Sequence, residues 1–309
     1  MIGFIHHATF RVADVAEAVE RWTTLFGLSV REQTAEHALL RCTFEDYCLE
    51  LRRSDAPPGI DHVAYELHPG VTLGAARERL IATGTAFREA PAPLGRGTAL
   101  RVEDPDGNGV LVIERRPPED RRPAVARRST ELRSPFHPRK LGHVNYLTAD
   151  VPRLVEWYGR VLGFAVTDWI GEGAVWLHVN RDHHVLAFLD KGYAHLHHVA
   201  FEFVDFGEIR MLLDHLGQHG RWCTWGPGRH SMAQNLFSYI RMWEEEVFVE
   251  CFCDLEQLDA DHTPRHFPDD VHASNAWGQL PPRTYFRFDE QSIRIEREQL
   301  HALHDVTVA

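Results

Sequence analysis

Three side chains able to hold a metal ion stand on strand-like stretches in the second half of the chain: His143, His198 and Glu250. Two imidazoles and one carboxylate on one face of an ion leave several coordination positions open. That donor set suits non-haem Fe(II), which can bind an organic substrate and O2 together. His184, fourteen residues before His198, adds a proton carrier. An ordinary histidine pKa near ~6.5 lets it take and return a proton at neutral pH. Tyr239, eleven residues before Glu250, adds a phenol that can donate a hydrogen bond.

The spacing of these groups has an internal control, because the chain repeats itself. His7-Ala-Thr-Phe-Arg-Val-Ala-Asp14 matches His143-Val-Asn-Tyr-Leu-Thr-Ala-Asp150, and Leu25-Phe26-Gly27 matches Val161-Leu162-Gly163. His62-Val-Ala-Tyr-Glu66 matches His198-Val-Ala-Phe-Glu202, Gly84 matches Gly220, and Ile113-Glu114 is matched with Val249-Glu250. Each pair lies 136 residues apart. In that register His184 corresponds to Cys48 and Tyr239 to Glu103. The first copy therefore keeps His7, His62 and Glu114 as possible ligands but has neither the acid–base histidine nor the phenol. It is expected to be a metal-free structural partner.

The elements that must position these residues are legible within each copy. His7 to Val12 and His143 to Thr148 are rich in β-branched and aromatic residues and predict strands. Asp14 and Asp150 stand where a helix N-cap belongs. VAEAVERWTTLFG and VPRLVEWYGRVLG carry apolar residues at helical spacing and end at glycine. Further strands, a second helix and a last strand follow in each copy. The expected fold is α+β, with two tandem βαβββ-type modules, each a curved mixed sheet around a cavity. Residues 1–117 form the N-terminal module and 118–137 a Pro- and charge-rich connector. Residues 138–255 form the metal-binding catalytic module, and 256–309 a tail packed on it.

The 309 residues suit two such domains, each long enough to bury a core. A formal net charge of −12 argues against nucleic acid as a partner. The first residues carry no basic, apolar leader, and no run of 18 apolar residues suggests a membrane span. Five cysteines at irregular spacing predict reduced thiols in the cytoplasm, with Cys251 and Cys253 on one strand face.

These segments resemble the type I extradiol dioxygenases of the vicinal oxygen chelate superfamily, above all homoprotocatechuate and catechol 2,3-dioxygenases. The resemblance rests on Gly142-His143-Val-Asn145, Trp176-Leu-His, Arg181-Asp-His-His184, Leu196-His-His198, Gly226-Pro-Gly-Arg-His230 and Phe248-Val-Glu250, and covers essentially the whole chain. It implies His143, His198 and Glu250 as iron ligands and His184 as the acid–base group. It implies hydrogen bonding to substrate by Tyr239 and His230, and a pocket bordered by Asn145 and Trp176. It further implies Fe(II), with Mn(II) as the alternative ion, O2 as co-substrate, a small aromatic diol as substrate, and a homo-oligomer.

Two departures matter. The family's Asp-Pro-x-Gly turn occurs in the first copy as Asp104-Pro-Asp-Gly107, and counting on from it reaches Leu111 rather than Glu114. The second copy instead reads Met242-Trp-Glu-Glu-Glu-Val247, where Glu244 to Glu246 are expected to form a solvated turn. In addition, Trp225 stands where homoprotocatechuate enzymes carry an arginine for the substrate carboxylate, which points to an apolar or aromatic ring substituent. Three rival readings share the fold: a glyoxalase-like isomerase, a hydroxyphenylpyruvate-dioxygenase-like enzyme and a metal-free bleomycin-resistance-type binding protein. Glyoxalases commonly complete the metal shell with a second carboxylate.

Overall fold

A computed structural model describes residues 1–43, 45–95, 97–115 and 135–306. Most of the expected connector 118–137 falls on residues 116–134, outside the described residues. The first module runs β1 (Ile2–Val12), α1 (Val15–Phe26), β2 (Ser29–Gln33), β3 (His37–Arg41) and β4 (Leu49–Arg53). It continues with β5 (Gly59–Leu67), α2 (Leu73–Ala82), β6 (Phe87–Pro91), β7 (Thr98–Glu103) and β8 (Gly109–Ile113). The second runs β9 (Lys140–Thr148), α3 (Val151–Trp157), β10 (Ala165–Ile170), β11 (Ala174–His178) and β12 (Leu186–Asp190). It continues with β13 (His195–Glu202), α4 (Phe206–Gln218), β14 (Cys223–Arg229), β15 (Leu236–Met242) and β16 (Val247–Cys253). The tail adds β17 (Arg265–Phe267) and α5 (Glu290–Val306).

Each copy thus holds two βαβββ units rather than one, a finer repeat than the 136-residue period reveals. The eight-stranded sheet has the order β2-β3-β4-β1-β5-β8-β7-β6. The nine-stranded sheet repeats it as β10-β11-β12-β9-β13-β16-β15-β14, with β17 added beside β10. Both sheets are mixed: β1 pairs parallel with β4 and antiparallel with β5, as β9 does with β12 and β13.

The caps form as the sequence predicts. Asp14 accepts from Glu17 N at 2.9 Å and Asp150 from Arg153 N at 3.1 Å. Gly27 ends α1 at φ 68°, and Gly163 ends the wider turn Tyr158–Leu162 that continues α3, at φ 82°, a backbone region that suits glycine.

The core differs from the expectation of one per module. A single buried cluster runs through both, joining Val19, Trp22 and Tyr65 to Phe164, Val199 and Phe201. Trp22 meets Phe201 with ring centroids 6.4 Å apart, and Tyr158 donates to Asp104 at 3.1 Å across the junction. One face of the second sheet turns Val144, Val199, Val249, Cys251 and Cys253 into this core. Because side chains alternate along a strand, the intervening residues face the other way. Cys223, Cys251 and Cys253 are free thiols.

The turn at Glu244 to Glu246 is solvated as expected only at Glu246, which is exposed. Glu245 is buried and bonds Arg21 on α1, while Glu244 bonds Arg221. Two of the three carboxylates are therefore clamped by arginines rather than hydrated, one of them from the first module.

Candidate metal centre

Cross-strand register assembles the site. One row across the second sheet reads Trp176, Ala187, Asn145, His198, Phe248. The next reads His143, Ala200, Glu250, Tyr239, Trp225. Directly opposed residues in a sheet stand about 5 Å apart. Seven of the nine residues singled out in the sequence therefore fall in two adjacent rows on one face. His184 enters from the loop before β12, and His230 from the end of β14.

His143 Nε2 lies 2.9 Å and His198 Nε2 3.3 Å from Glu250 Oε2. All three side chains are buried, and one ligating atom from each lies within 4.8 Å of the other two. Glu250 Oε1 accepts from Asn235 Nδ2 at 2.9 Å, which aims the carboxylate. Burial alone would raise the Glu250 carboxyl, but His143 and His230 outweigh it and hold the group ionised. Burial, reinforced by His197 and His143, keeps His198 neutral, as a metal ligand must be. The convergence of these buried lone pairs fits a divalent ion.

Adjacent histidines set the ring tautomers. His197 Nε2 lies 3.0 Å from the Tyr285 carbonyl, which can only accept. A neutral His197 therefore presents a bare Nδ1 to His198 Nδ1, 2.8 Å away. His198 must donate there, which leaves its Nε2 as the free lone pair facing Glu250. The same logic runs through His183. Its Nε2 donates to Asp168 Oδ2 at 2.7 Å, and its Nδ1 meets His184 Nδ1 at 3.0 Å. His184 is left with a bare Nε2. Arg265 bonds Asp168 at 2.9 Å and 2.7 Å and fixes the far end of this chain. Burial, then His143 and His183, depress the His184 pKa well below its ordinary value, so its ring is neutral and its Nε2 lone pair is open.

His184 packs beside His143, with ring centroids 4.1 Å apart. On the opposite side His230 Nε2 lies 3.1 Å from Tyr239 Oη, and its Nδ1 donates to Ser274 O at 2.6 Å. Burial, with Glu250 nearby, raises Tyr239 well above an ordinary phenol, so it keeps its proton and gives it to the bare His230 Nε2. Trp225 stacks on Tyr239 with centroids 5.2 Å apart, and its indole N–H is already given to Gln279 O at 2.6 Å. The indole is packed among Phe237, Tyr239 and Tyr285, with no N–H left to give. Trp176 sits in a small cluster with Ala187, Met232 and Ala233.

All nine predicted site residues lie on this side of the sheet. Sequence reasoning missed His183, Asp168, Asn235 and Tyr285. Of these only His183 carried a signal, as the neighbour of His184 in Arg181-Asp-His-His184.

The register corrects three correspondences with the first copy. Ala200 pairs with Glu250, and Ala64 pairs with Leu111, so Leu111 is the counterpart of Glu250. Glu114 is exposed and caps α2 through Leu73 N at 3.1 Å. Tyr239 answers to Arg101, not Glu103, because each lies opposite those residues. Pairing of β4 with β1 and of β12 with β9 makes Tyr47, not Cys48, the counterpart of His184. Small insertions between strands shift the count away from 136.

The Glyoxalase/Bleomycin resistance protein/Dioxygenase superfamily profile matches residues 4–112 and 140–238. Metapyrocatechase 2 of Cupriavidus necator is 29% identical over 275 residues, covering 83% of this chain and 82% of its own. The Mn(II)-bound glyoxalase from Novosphingobium aromaticivorans aligns at a TM-score of 0.78 and 25% identity, covering 92% of this chain and 93% of its own. Homoprotocatechuate 2,3-dioxygenase from Brevibacterium fuscum, in complex with 3,4-dihydroxyphenylacetate, aligns at 0.80 and 24% identity, covering 92% and 91%.

Proposed function

Because the chain belongs to the Glyoxalase/Bleomycin resistance protein/Dioxygenase superfamily, we propose that its second module is an extradiol dioxygenase. It opens a catechol-type ring next to the diol, with both atoms of O2 entering the product. His143, His198 and Glu250 hold Fe(II), with Mn(II) as the alternative ion for the same ligands. The similarity to metapyrocatechase 2 supports the catechol chemistry.

The observation that carries the reading is the company of the triad rather than the triad itself. His184 and the Tyr239–His230 pair flank it, and the first module has no counterpart to that combination. A glyoxalase-like reading is disfavoured by register: Ala187 stands in the row beside Asn145, where a second carboxylate would reach the ion.

When bound, the ion supplies a Lewis acid that stabilises the deprotonated diol and brings O2 beside it. The protein supplies the rest. His184 Nε2 takes a proton from the diol and later returns it, a contribution of roughly 10²–10⁴-fold. The Asp168–His183 chain keeps that nitrogen unprotonated and aimed. Tyr239, whose proton rests on His230 Nε2, turns it to a developing oxygen anion when substrate is bound. Trp225 and Trp176 wall the ring and exclude water, and Trp225 favours an apolar substituent. We place the enzyme in aromatic catabolism, in the cytoplasm, where free thiols persist. A homo-oligomer is carried over from the family resemblance alone.

The test is anaerobic loading with Fe(II), then air and a panel of catechols. A yellow ring-opened product with O2 uptake supports the proposal. Stoichiometric iron with no O2 uptake on any catechol overturns it.

A further inference from the structure

The first module has its own cluster of ligating side chains, and its carboxylate is not the one the repeat predicts. Leu111 occupies the register position of Glu250. Glu50 enters instead from β4, opposite Thr9, where the second module has Ala187 opposite Asn145. One ligating atom from each of His7, Glu50 and His62 lies within 4.8 Å of the other two, and all three side chains are buried.

Hydrogen bonding leaves this cluster incomplete. His7 Nε2 is fully buried and has no hydrogen-bond partner among the described residues. Glu50 Oε2, toward which it faces, is 3.9 Å away. His62 Nδ1 donates to Asp61 Oδ2 at 2.7 Å, and Arg101 holds that carboxylate at 2.7 Å. With Nδ1 turned to Asp61 and Arg101, His62 Nε2 is the ring atom that faces Thr9 and Glu50. Thr9 Oγ1 lies 2.9 Å from Glu50 Oε2 and 3.2 Å from His62 Nε2, and bridges them. The unmet atom of the cluster is therefore His7 Nε2, buried and aimed among these groups.

We propose that His7, Glu50 and His62 bind a first-row divalent transition-metal ion, at a site separate from the catalytic one. A cation meets all three lone pairs at once. The donor set is again two imidazoles and one carboxylate, which suits Fe, Mn, Co or Zn. Asp61 behind His62 is the carboxylate–histidine support that metal sites commonly carry. Arg52 bonds Glu50 Oε1 at 2.8 Å and leaves Oε2 for the ion. A cavity of about 280 Å³ bounded by Glu50, His62, Arg101 and Leu111 provides a route in. Burial keeps His7 neutral, as a ligand requires. The ion ties β1, β4 and β5 together. It is structural, because Arg101 stands where the second module has its phenol.

The proposal does not depend on the catalytic reading. The chelator-stripped full chain is reloaded with Mn(II) and crystallised, and anomalous scattering at the Mn edge is mapped alongside Mn per chain in solution. Two ions per chain are expected, one of them between His7 and His62. Glu50→Gln should remove that ion and keep the one at His143, and His198→Ala should do the reverse. No peak at His7 and His62 in the wild-type map overturns the proposal without any variant having to fold. A peak that persists at full occupancy in Glu50→Gln overturns the assignment of Glu50. An empty His143 site beside a filled His7 site counts against the catalytic reading and leaves this one standing.

Discussion

His183 and His184 meet through their Nδ1 atoms at 3.0 Å, so one of two neighbouring rings must donate to the other. Asp168 decides which, because it takes the His183 Nε2 proton at 2.7 Å. Asp168→Asn can donate to that nitrogen and let the order reverse, which would protonate His184 on its working atom. A fall in kcat of roughly 10- to 100-fold is expected. KM and metal content should stay within about twofold. Steady-state kinetics with metal analysis checks this, and unchanged kcat would remove Asp168 from the mechanism.

His184→Phe should keep its metal and lose roughly 10²–10⁴-fold in turnover. Glu250→Ala should instead lose the tightly held ion at His143. Comparing the two variants by metal analysis and O2 uptake separates proton transfer from ligation.

Asp168 also makes acid stability testable. Burial would raise its carboxyl, but His183 and Arg265 outweigh it and hold the group below its ordinary value. A depressed folded-state pKa gives stability that is fully present above the unfolded value of about 3.9 and is lost as pH falls from there through the folded value. Urea unfolding from pH 6 to pH 2 should show this loss in the wild type. Asp168→Asn should be less stable at pH 6 by roughly 1 to 2 kcal/mol, because it removes the charge partner of the partly exposed Arg265 and the acceptor of His183. It should also lose that part of the acid dependence.

Trp225→Arg places a cation where the indole has no N–H left to give. The ratio of kcat/KM for a carboxylated catechol to that for an alkyl catechol should rise about tenfold or more. An unchanged ratio would mean that Trp225 does not border the ring substituent.

Arg21→Ala leaves Glu245 buried without its partner. A loss of roughly 3 kcal/mol is expected, read by urea unfolding. A loss near zero would mean that the turn rehydrates, as the sequence alone suggests.

The histidines of the triad were legible because duplication fixes His143 and His198 by position as well as by type. Glu250 was legible too, but its first-copy counterpart was not legible from the repeat. Ile113-Glu114 imitates Val249-Glu250 in residue type, but the ladder sets Leu111 opposite Ala64. A short insertion between strands changes the count; the Asp104-Pro-Asp-Gly107 turn points to Leu111, and the hydrogen-bond register fixes it there. Glu50 was invisible for the same reason, since no residue of the second copy acts from its position. Glu244 to Glu246 read as solvated because Arg21, which covers Glu245, lies more than two hundred residues away in sequence. The orienting role of His183 depends on which proton each ring carries, and spacing holds no information about that.

The carbonyl of Tyr285 carries a consequence for what counts as the working unit. It belongs to the tail, yet through His197 it decides which nitrogen of His198 is free. The repeat ends near Cys253, but the enzyme does not. A chain cut at the repeat boundary would keep every ligand and lose the group that keeps one of them correctly protonated. The ancestral module and the smallest competent catalyst are therefore different lengths of chain, and the added tail belongs to the site's protonation chemistry as much as to its packing.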